Sequence, residues 1–258
     1  MSEASFEKRF GLLNSDAALG VLGVALFLTA WELIGRSGVA GLTLPPLSQV
    51  VTYALEAPRI TLFSRAVPAT VKAMAGGYLI GALAGIGLAF IGYAVQRLRA
   101  GADMGATLLH SIPAIALAPI FVLGFGRETA PTALAAFNAF FVFYVAASSG
   151  LSGNAPIFRD VMKVYGASPM RRFWHVDFPA ALPAIATGMK LAVPGSLIGA
   201  ILGEWFGAPR GLGLLIVTAM QNFQILLLWS AVLLTGMISF GLFCLLSLLE
   251  RHVFERFR

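Results

Sequence analysis

Cysteine is almost missing from this chain. The single Cys244 excludes an internal disulfide and a thiolate metal site. His110, His175 and His252 are too scattered to suggest a zinc site by spacing. Charge is also scarce: 12% of the 258 residues are charged, where an ordinary soluble domain carries roughly 25%. The acidic residues form no paired-carboxylate motif inside an apolar run, which a magnesium-dependent membrane enzyme would want. No Gly-Lys dipeptide occurs, so there is no phosphate-binding loop of the GxxxxGK[ST] kind. Mid-membrane ionisable groups, the usual mark of a proton- or sodium-driven carrier, reduce to His110, Lys190 and Glu204.

Apolar residues are what the chain has in excess. They make up 58% of it, and the mean hydropathy is +0.84. The six surplus positive charges cannot keep that much apolar surface in water. A soluble globule, a disordered chain and a secreted disulfide scaffold are all excluded. What remains is an all-α polytopic membrane protein, because lipid offers no partner to unpaired backbone groups.

Apolar stretches long enough to span occur at residues 17–35, 73–96, 104–126, 129–158 and 178–203. Residues 211–249 are too long for one helix and too short for two, and Gln221, Asn222 and Gln224 divide them into a short helix at 212–221 and a span at 225–249. The expectation is about six transmembrane helices in a single transmembrane domain, 1–258. The first stretch reads as a retained span, since no clear small-x-small cleavage site follows it before Glu32. Six spans put both termini, including residues 1–16, on one side with the loop at 152–182; that side carries eleven Lys or Arg against six on the other. Positive loops stay cytoplasmic, so both termini are expected in the cytoplasm. No clustered basic face points to nucleic acid.

Along the second span Ala73, Gly77, Gly81, Gly85 and Ala89 recur every fourth residue, laying small side chains on one face. That pattern allows close helix approach, within one protomer or at a dimer seam.

The most informative segment runs from Arg159 to Pro183 and reads as helix, turn, helix. Gly166 suits a helix end that needs a left-handed residue. Ser168 followed by Pro169 reads as an N-cap and a first helical position. The second helix is expected to end before Pro179. Arg171 and Arg172 are expected on its exposed side, and Met170, Phe173, Trp174 and Val176 exceed what a solvated loop needs. Two readings stand: an amphipathic helix lying on the bilayer, or a helix that docks on a cytoplasmic partner.

This segment resembles the cytoplasmic signature of permease subunits of bacterial ABC importers: Glu-Ala-Ala, three residues, Gly, nine residues, Ile-x-Leu-Pro. Asp160, Val161 and Met162 stand at the first three positions, Gly166 at the glycine, and Val176, Phe178 and Pro179 at the last three. Gly166-Ala167-Ser168, the Pro179 to Pro183 stretch, Gly188 with Lys190, and Glu204 with Gly207, Gly211 and Gly213 are similar to the nitrate/sulfonate/taurine branch, as are Ile112-Pro113, Ala118-Pro119 and Leu44-Pro45-Pro46. The resemblance implies a permease fold with a cytoplasmic coupling helix, two permease copies, two ATPase subunits and an extracytoplasmic solute-binding protein. It also implies no catalysis by this chain, no cofactor of its own, and a small solute such as an organic or inorganic anion, although related permeases serve vitamin precursors and aromatic compounds. The coupling residues are then Asp160, Gly166, Ala167, Ser168, Met170, Arg171, Arg172, Phe173, Val176 and Pro179.

Candidates for the translocation path are His110, Ser111, Pro113, Lys190, Glu204, Gly211 and Gly213. Each has a structural alternative: His110 as a packing histidine, Lys190 reaching to the cytoplasmic interface, Gly211 and Gly213 as a turn for the short outer helix. A stand-alone secondary carrier is the competing function, expected to show a repeated half; no repeat is visible. An intramembrane enzyme is a third class.

Overall fold

The structure is a computed structural model and describes residues 16–153, 161, 162 and 164–254. The described residues form helices α1 (Asp16–Ser37), α2 (Leu47–Ala54), α3 (Ala57–Ala94), α4 (Gln96–Ser111), α5 (Ala114–Phe125), α6 (Ala130–Ser152), α7 (Pro169–Arg172), α8 (Phe178–Trp205), α9 (Leu212–Gln221) and α10 (Ile225–Phe254). A π-helical turn, Phe173–Asp177, joins α7 to α8. Five helical stretches among the described residues are long and apolar enough to cross a membrane, and a sixth crossing arises if the bent pair α4 and α5 counts as one. The chain is an all-helical membrane protein.

Two expectations about spans need correction. The apolar stretch 104–126 is not one straight helix: α4 and α5 meet at 94°. Pro113 is the reason, because its ring pushes Ile112 into an extended conformation, φ −79° and ψ 122°. The helix that carries the second span begins well before residue 73. Helix α3 starts at Ala57 and is 38 residues long, about 57 Å. Arg59, Arg65 and Lys72 mark where the apolar run begins, but charge does not end a helix.

The chain divides into two compact units, Met1–Ile60 with Ala219–Ser230, and Thr61–Thr218 with Ala231–Arg258. In the first, two indoles hold the Leu44-Pro45-Pro46 bend. Trp31 Nε1 donates to Pro45 O at 3.1 Å and Trp229 Nε1 donates to Thr43 O at 2.8 Å, with the two rings 4.9 Å apart. Glu32 closes the same corner. It accepts from the Ser48 N–H at 2.9 Å, the Ser48 hydroxyl at 2.7 Å and Arg36 Nε at 2.6 Å. The carboxylate thereby sits at the N-terminus of α2, where the helix dipole favours it.

The second unit is built on close approach of small residues. Ala73, Gly77, Gly81, Gly85 and Ala89 of α3 are all buried. A β-carbon on Gly81 would lie 2.7 Å from Ala136 O and 2.8 Å from the Ala139 methyl. The ladder therefore packs on α6 of the same chain. The other side of α6 meets α8 in the same way: a β-carbon on Gly199 would lie 2.7 Å from Ala135 Cα, and one on Gly203 2.8 Å from Pro131 N. Backbone contact of this kind drives helix association where lipid gives no hydrophobic advantage. Arg99 Nη2 donates to Ser152 Oγ at 2.6 Å and Tyr144 donates to Asp103 Oδ1 at 2.5 Å, fastening α4 to α6.

Candidate functional site

The turn ahead of α7 forms as its residues dictate. Gly166 has φ +68°. The Ala167 N–H donates to Met162 O at 2.9 Å, the six-to-one bond of a Schellman helix end. Ser168 then caps α7, its hydroxyl accepting from the Arg171 N–H at 3.3 Å, and Pro169 fills the first helical position. Asp160 lies outside the described residues.

The helix does not stop before Pro179. The Phe178 N–H bonds to Phe173 O, five residues back, and the chain continues directly into α8. A proline in the first turn of a helix forfeits no needed donor, so a widened turn carries the chain past it.

This continuation decides which side chains point outward. Met170 and Trp174 are 67% and 57% exposed, and Arg171 is exposed with them. Arg172, expected on the outer side, turns inward, and Phe173 turns inward beside it. The Phe173 ring sits 5.7 Å from Phe90, 5.6 Å from Tyr93, 5.2 Å from Trp174 and 5.9 Å from Phe178. Arg172 Nε donates to Asp177 Oδ2 at 3.2 Å. Asp177 is fully buried and also accepts a short hydrogen bond from the Tyr93 hydroxyl. Val176 is half-buried and Pro179 exposed. The loop is thus clamped to the end of α3 by one buried carboxylate and one aromatic cluster. A recess of about 420 Å³, lined by Phe90, Tyr93, Gln96, Met170 and Phe173 among others, opens beside it. Sequence reasoning missed Tyr93 and Asp177. The signal was there, a lone carboxylate inside the run Phe173 to Phe178, five residues after Arg172.

At the other end of α8 the structure brings Glu204, Gly211 and Gly213 together. Glu204 is 1% exposed. Its Oε2 accepts from the Gly213 N–H at 2.7 Å and from the Thr70 hydroxyl at 3.0 Å, and Thr70 Oγ1 accepts from the Leu212 N–H at 2.8 Å. Leu212 and Gly213 open α9, so the carboxylate satisfies first-turn donors that have no intrahelical partner. Gly211 has φ +139°, and a β-carbon there would collide with the Glu204 carboxyl. The spacing from Glu204 to Gly213 is therefore the wiring of a helix start. Thr70, which joins them through Glu204 and Leu212, carried no motif that could have found it.

The remaining path candidates do not join that network. Lys190, expected to reach for the interface, forms an ion pair with Glu250 on α10, and Thr187 donates to the same carboxylate at 3.4 Å. Opposite charges in a low-dielectric setting attract far more strongly than in water, so Lys190 turns to Glu250. His110 stacks on Phe141, with ring centroids 3.9 Å apart and planes 5° from parallel. Ser111 donates to Leu108 O at 2.7 Å, and Pro113 makes the bend between α4 and α5.

Residues 77–258 match the family described as binding-protein-dependent transport system inner membrane component, and the chain belongs to that family. It is 31% identical to the formylaminopyrimidine transport permease protein ThiX of Halalkalibacterium halodurans, over 73% of this chain and 75% of that one. It is 28% identical to the putative aliphatic sulfonates transport permease protein SsuC of Bacillus subtilis, over 96% and 89%. The fold is similar to a chain of the inward-facing MetNI methionine ABC transporter, with a TM-score of 0.69 at 17% identity, covering 77% of this chain and 99% of that one. The chain is a multi-pass permease of the ABC importer type, an inner membrane component that works with ATPase and binding-protein partners as its family does.

Proposed function

We propose that the whole chain acts as one permease domain in a complex of two permease copies, two ATPase subunits and one extracytoplasmic solute-binding protein. Both termini and the loop at 152–182 face the cytoplasm. The chain itself hydrolyses no ATP. Movement of the ATPase enters through α7 and passes to α3 and α8, opening a path for a small anionic solute. The name of the sulfonate relative supports the anion, and the ThiX name marks the competing substrate class.

The observation that carries this reading is the division of the loop. Met170, Arg171 and Trp174 point outward, while Asp177 and Phe173 fix the same segment to α3. An apolar side chain beside an arginine suits a groove carrying partner carboxylates. The rigid backing lets a push on α7 move a long helix. Met170→Asp and Arg171→Glu are expected to leave insertion intact, weaken ATPase co-purification and abolish uptake. A bilayer-surface helix predicts the reverse, weakened lipid association with ATPase binding intact. Full ATPase retention and full uptake in both variants would remove the coupling role. Native mass spectrometry tests the stoichiometry: one permease copy in a transport-competent complex contradicts it.

A further inference from the structure

We infer that a cleft at the end of α3 and α8 remote from α7 is a binding site for a small anion, sulfonate or carboxylate in chemistry. The proposal rests on the reading of this chain as a solute path and names where the solute first meets it.

The cleft holds about 550 Å³ and is lined by Arg65, Lys72, Arg210, Glu128 and Glu204. Arg65 and Lys72 are seven residues apart on α3, two helical turns, so they share one face. Arg210 reaches in from the loop before α9. All three are exposed, and among the described residues none is ion-paired. Two other cations of the chain, Arg36 and Arg59, have carboxylates on their own helices or turns, Glu32 and Glu56. The cations of the cleft have only Glu128 in the open. Glu204 is buried and committed to Gly213, Thr70 and the start of α9.

The cleft is also held in shape. Its floor is the backbone-to-backbone contact of α6 with α8 at Gly203 and Pro131. Arg210 is carried on a loop whose ends are fixed by Gly207 at φ +112° and by Gly211 against Glu204. The Phe173 cluster lies at the opposite end of both α3 and α8, so the cleft opens away from the proposed ATPase side. A fixed recess with excess positive charge concentrates small anions at its mouth.

Charge-sensitive thiol labelling of the purified full-length chain tests this. Ala69, half-buried in the cleft lining, is replaced by cysteine in a Cys244→Ala background. Its labelling rate is compared for the anionic 2-sulfonatoethyl methanethiosulfonate and the cationic 2-trimethylammonioethyl reagent, each normalised to a free thiol. One unit charge roughly 8 Å away in water changes the rate of a charged reagent by about twofold. Three cations against the Glu128 and Glu204 carboxylates leave one net positive charge, which favours the anionic over the cationic reagent by about two- to fourfold once ordinary salt screening is included. Arg65→Gln, Lys72→Gln and Arg210→Gln should each cut the preference by about half. Methanesulfonate at constant ionic strength should slow the anionic reagent in the parent and not in these variants.

A preference equal to that of the free thiol overturns the proposal, as does a preference that survives all three single substitutions. The comparison is made in detergent, in phosphatidylcholine nanodiscs and in phosphatidylglycerol nanodiscs. A preference present in detergent and lost in both bilayers means that lipid phosphate fills the cleft, which also overturns it. Uptake by the intact complex is measured separately. Failure of the labelling with normal anion uptake removes the cleft and leaves the reading of an anion path standing, whereas an intact complex that takes up no anion strikes the anion reading itself.

Discussion

Replacing Asp177 by alanine should loosen the coupling loop without unfolding the membrane helices. Asp177 is fully buried and accepts from both Arg172 and Tyr93. Breaking a fully buried charge pair from one side costs about 3–5 kcal/mol. The Arg172 side chain is 26% exposed, so water compensates part of its loss, and about 1–2 kcal/mol is a fair share for that partner. The Tyr93 hydroxyl, half-buried, adds about 1 kcal/mol for a lost hydrogen bond. The sum is about 2–3 kcal/mol, and it acts locally because α3 and α8 keep their contacts with α6. Hydrogen exchange of the amides from Phe173 to Phe178 reads it directly. At 1.4 kcal/mol per factor of ten, opening should become about 30- to 150-fold more frequent, while amides in the middle of α6 exchange as before. Asp177→Asn should show a smaller effect, since the amide oxygen still accepts from Tyr93 but no longer balances Arg172. In the complex, Asp177→Ala should keep the ATPase bound and lose uptake, because the docking residues remain but their backing yields. Unchanged exchange together with unchanged uptake would refute the idea that this carboxylate backs the loop.

Gly81→Ala should cost about 1–3 kcal/mol, because a methyl group must part α3 from α6; Gly81→Glu should prevent assembly, adding about 2.5–3.5 kcal/mol for an acidic side chain on insertion scales. Thermal unfolding and yield in detergent check both, and a normal melting temperature for Gly81→Glu contradicts the packing. Gly166 has open space around its α-carbon, so only its left-handed backbone resists substitution, and Gly166→Leu should cost about 1–2 kcal/mol while Gly166→Asn costs less; ATPase pull-down and uptake should rank glycine, asparagine and leucine in that order. Lys190→Met strands Glu250 and should destabilise the protein more than Lys190→Met with Glu250→Met together, since replacing both partners removes the uncompensated charge. A thermal shift series measures this, and a double variant worse than the single one goes against the ion pair.

Composition alone decided that this chain lives in a bilayer, because so few charges cannot solvate so much apolar surface. Local chemistry decided the helix ends at Gly166, Ser168 and Pro169, the break that sets off residues 212–221, and the small-residue face on α3, since each depends on neighbours within a turn or two. The spacing of the cytoplasmic signature was enough to point to the family. Tertiary structure decided the rest. The true start of α3 at Ala57 is hidden from hydropathy, which sees apolar surface and not backbone hydrogen bonds. The inward turn of Phe173 and Arg172 depends on a π-helical turn and on aromatic partners about 80 residues earlier, Phe90 and Tyr93. The pairing of Glu204 with Thr70 joins groups 134 residues apart, and that of Lys190 with Glu250 joins separate helices. A lone carboxylate in an apolar sequence announces that it needs a partner. Which partner it takes depends on which helix faces lie against each other, and that is fixed by the close approach of α3, α6 and α8, not by any local signal.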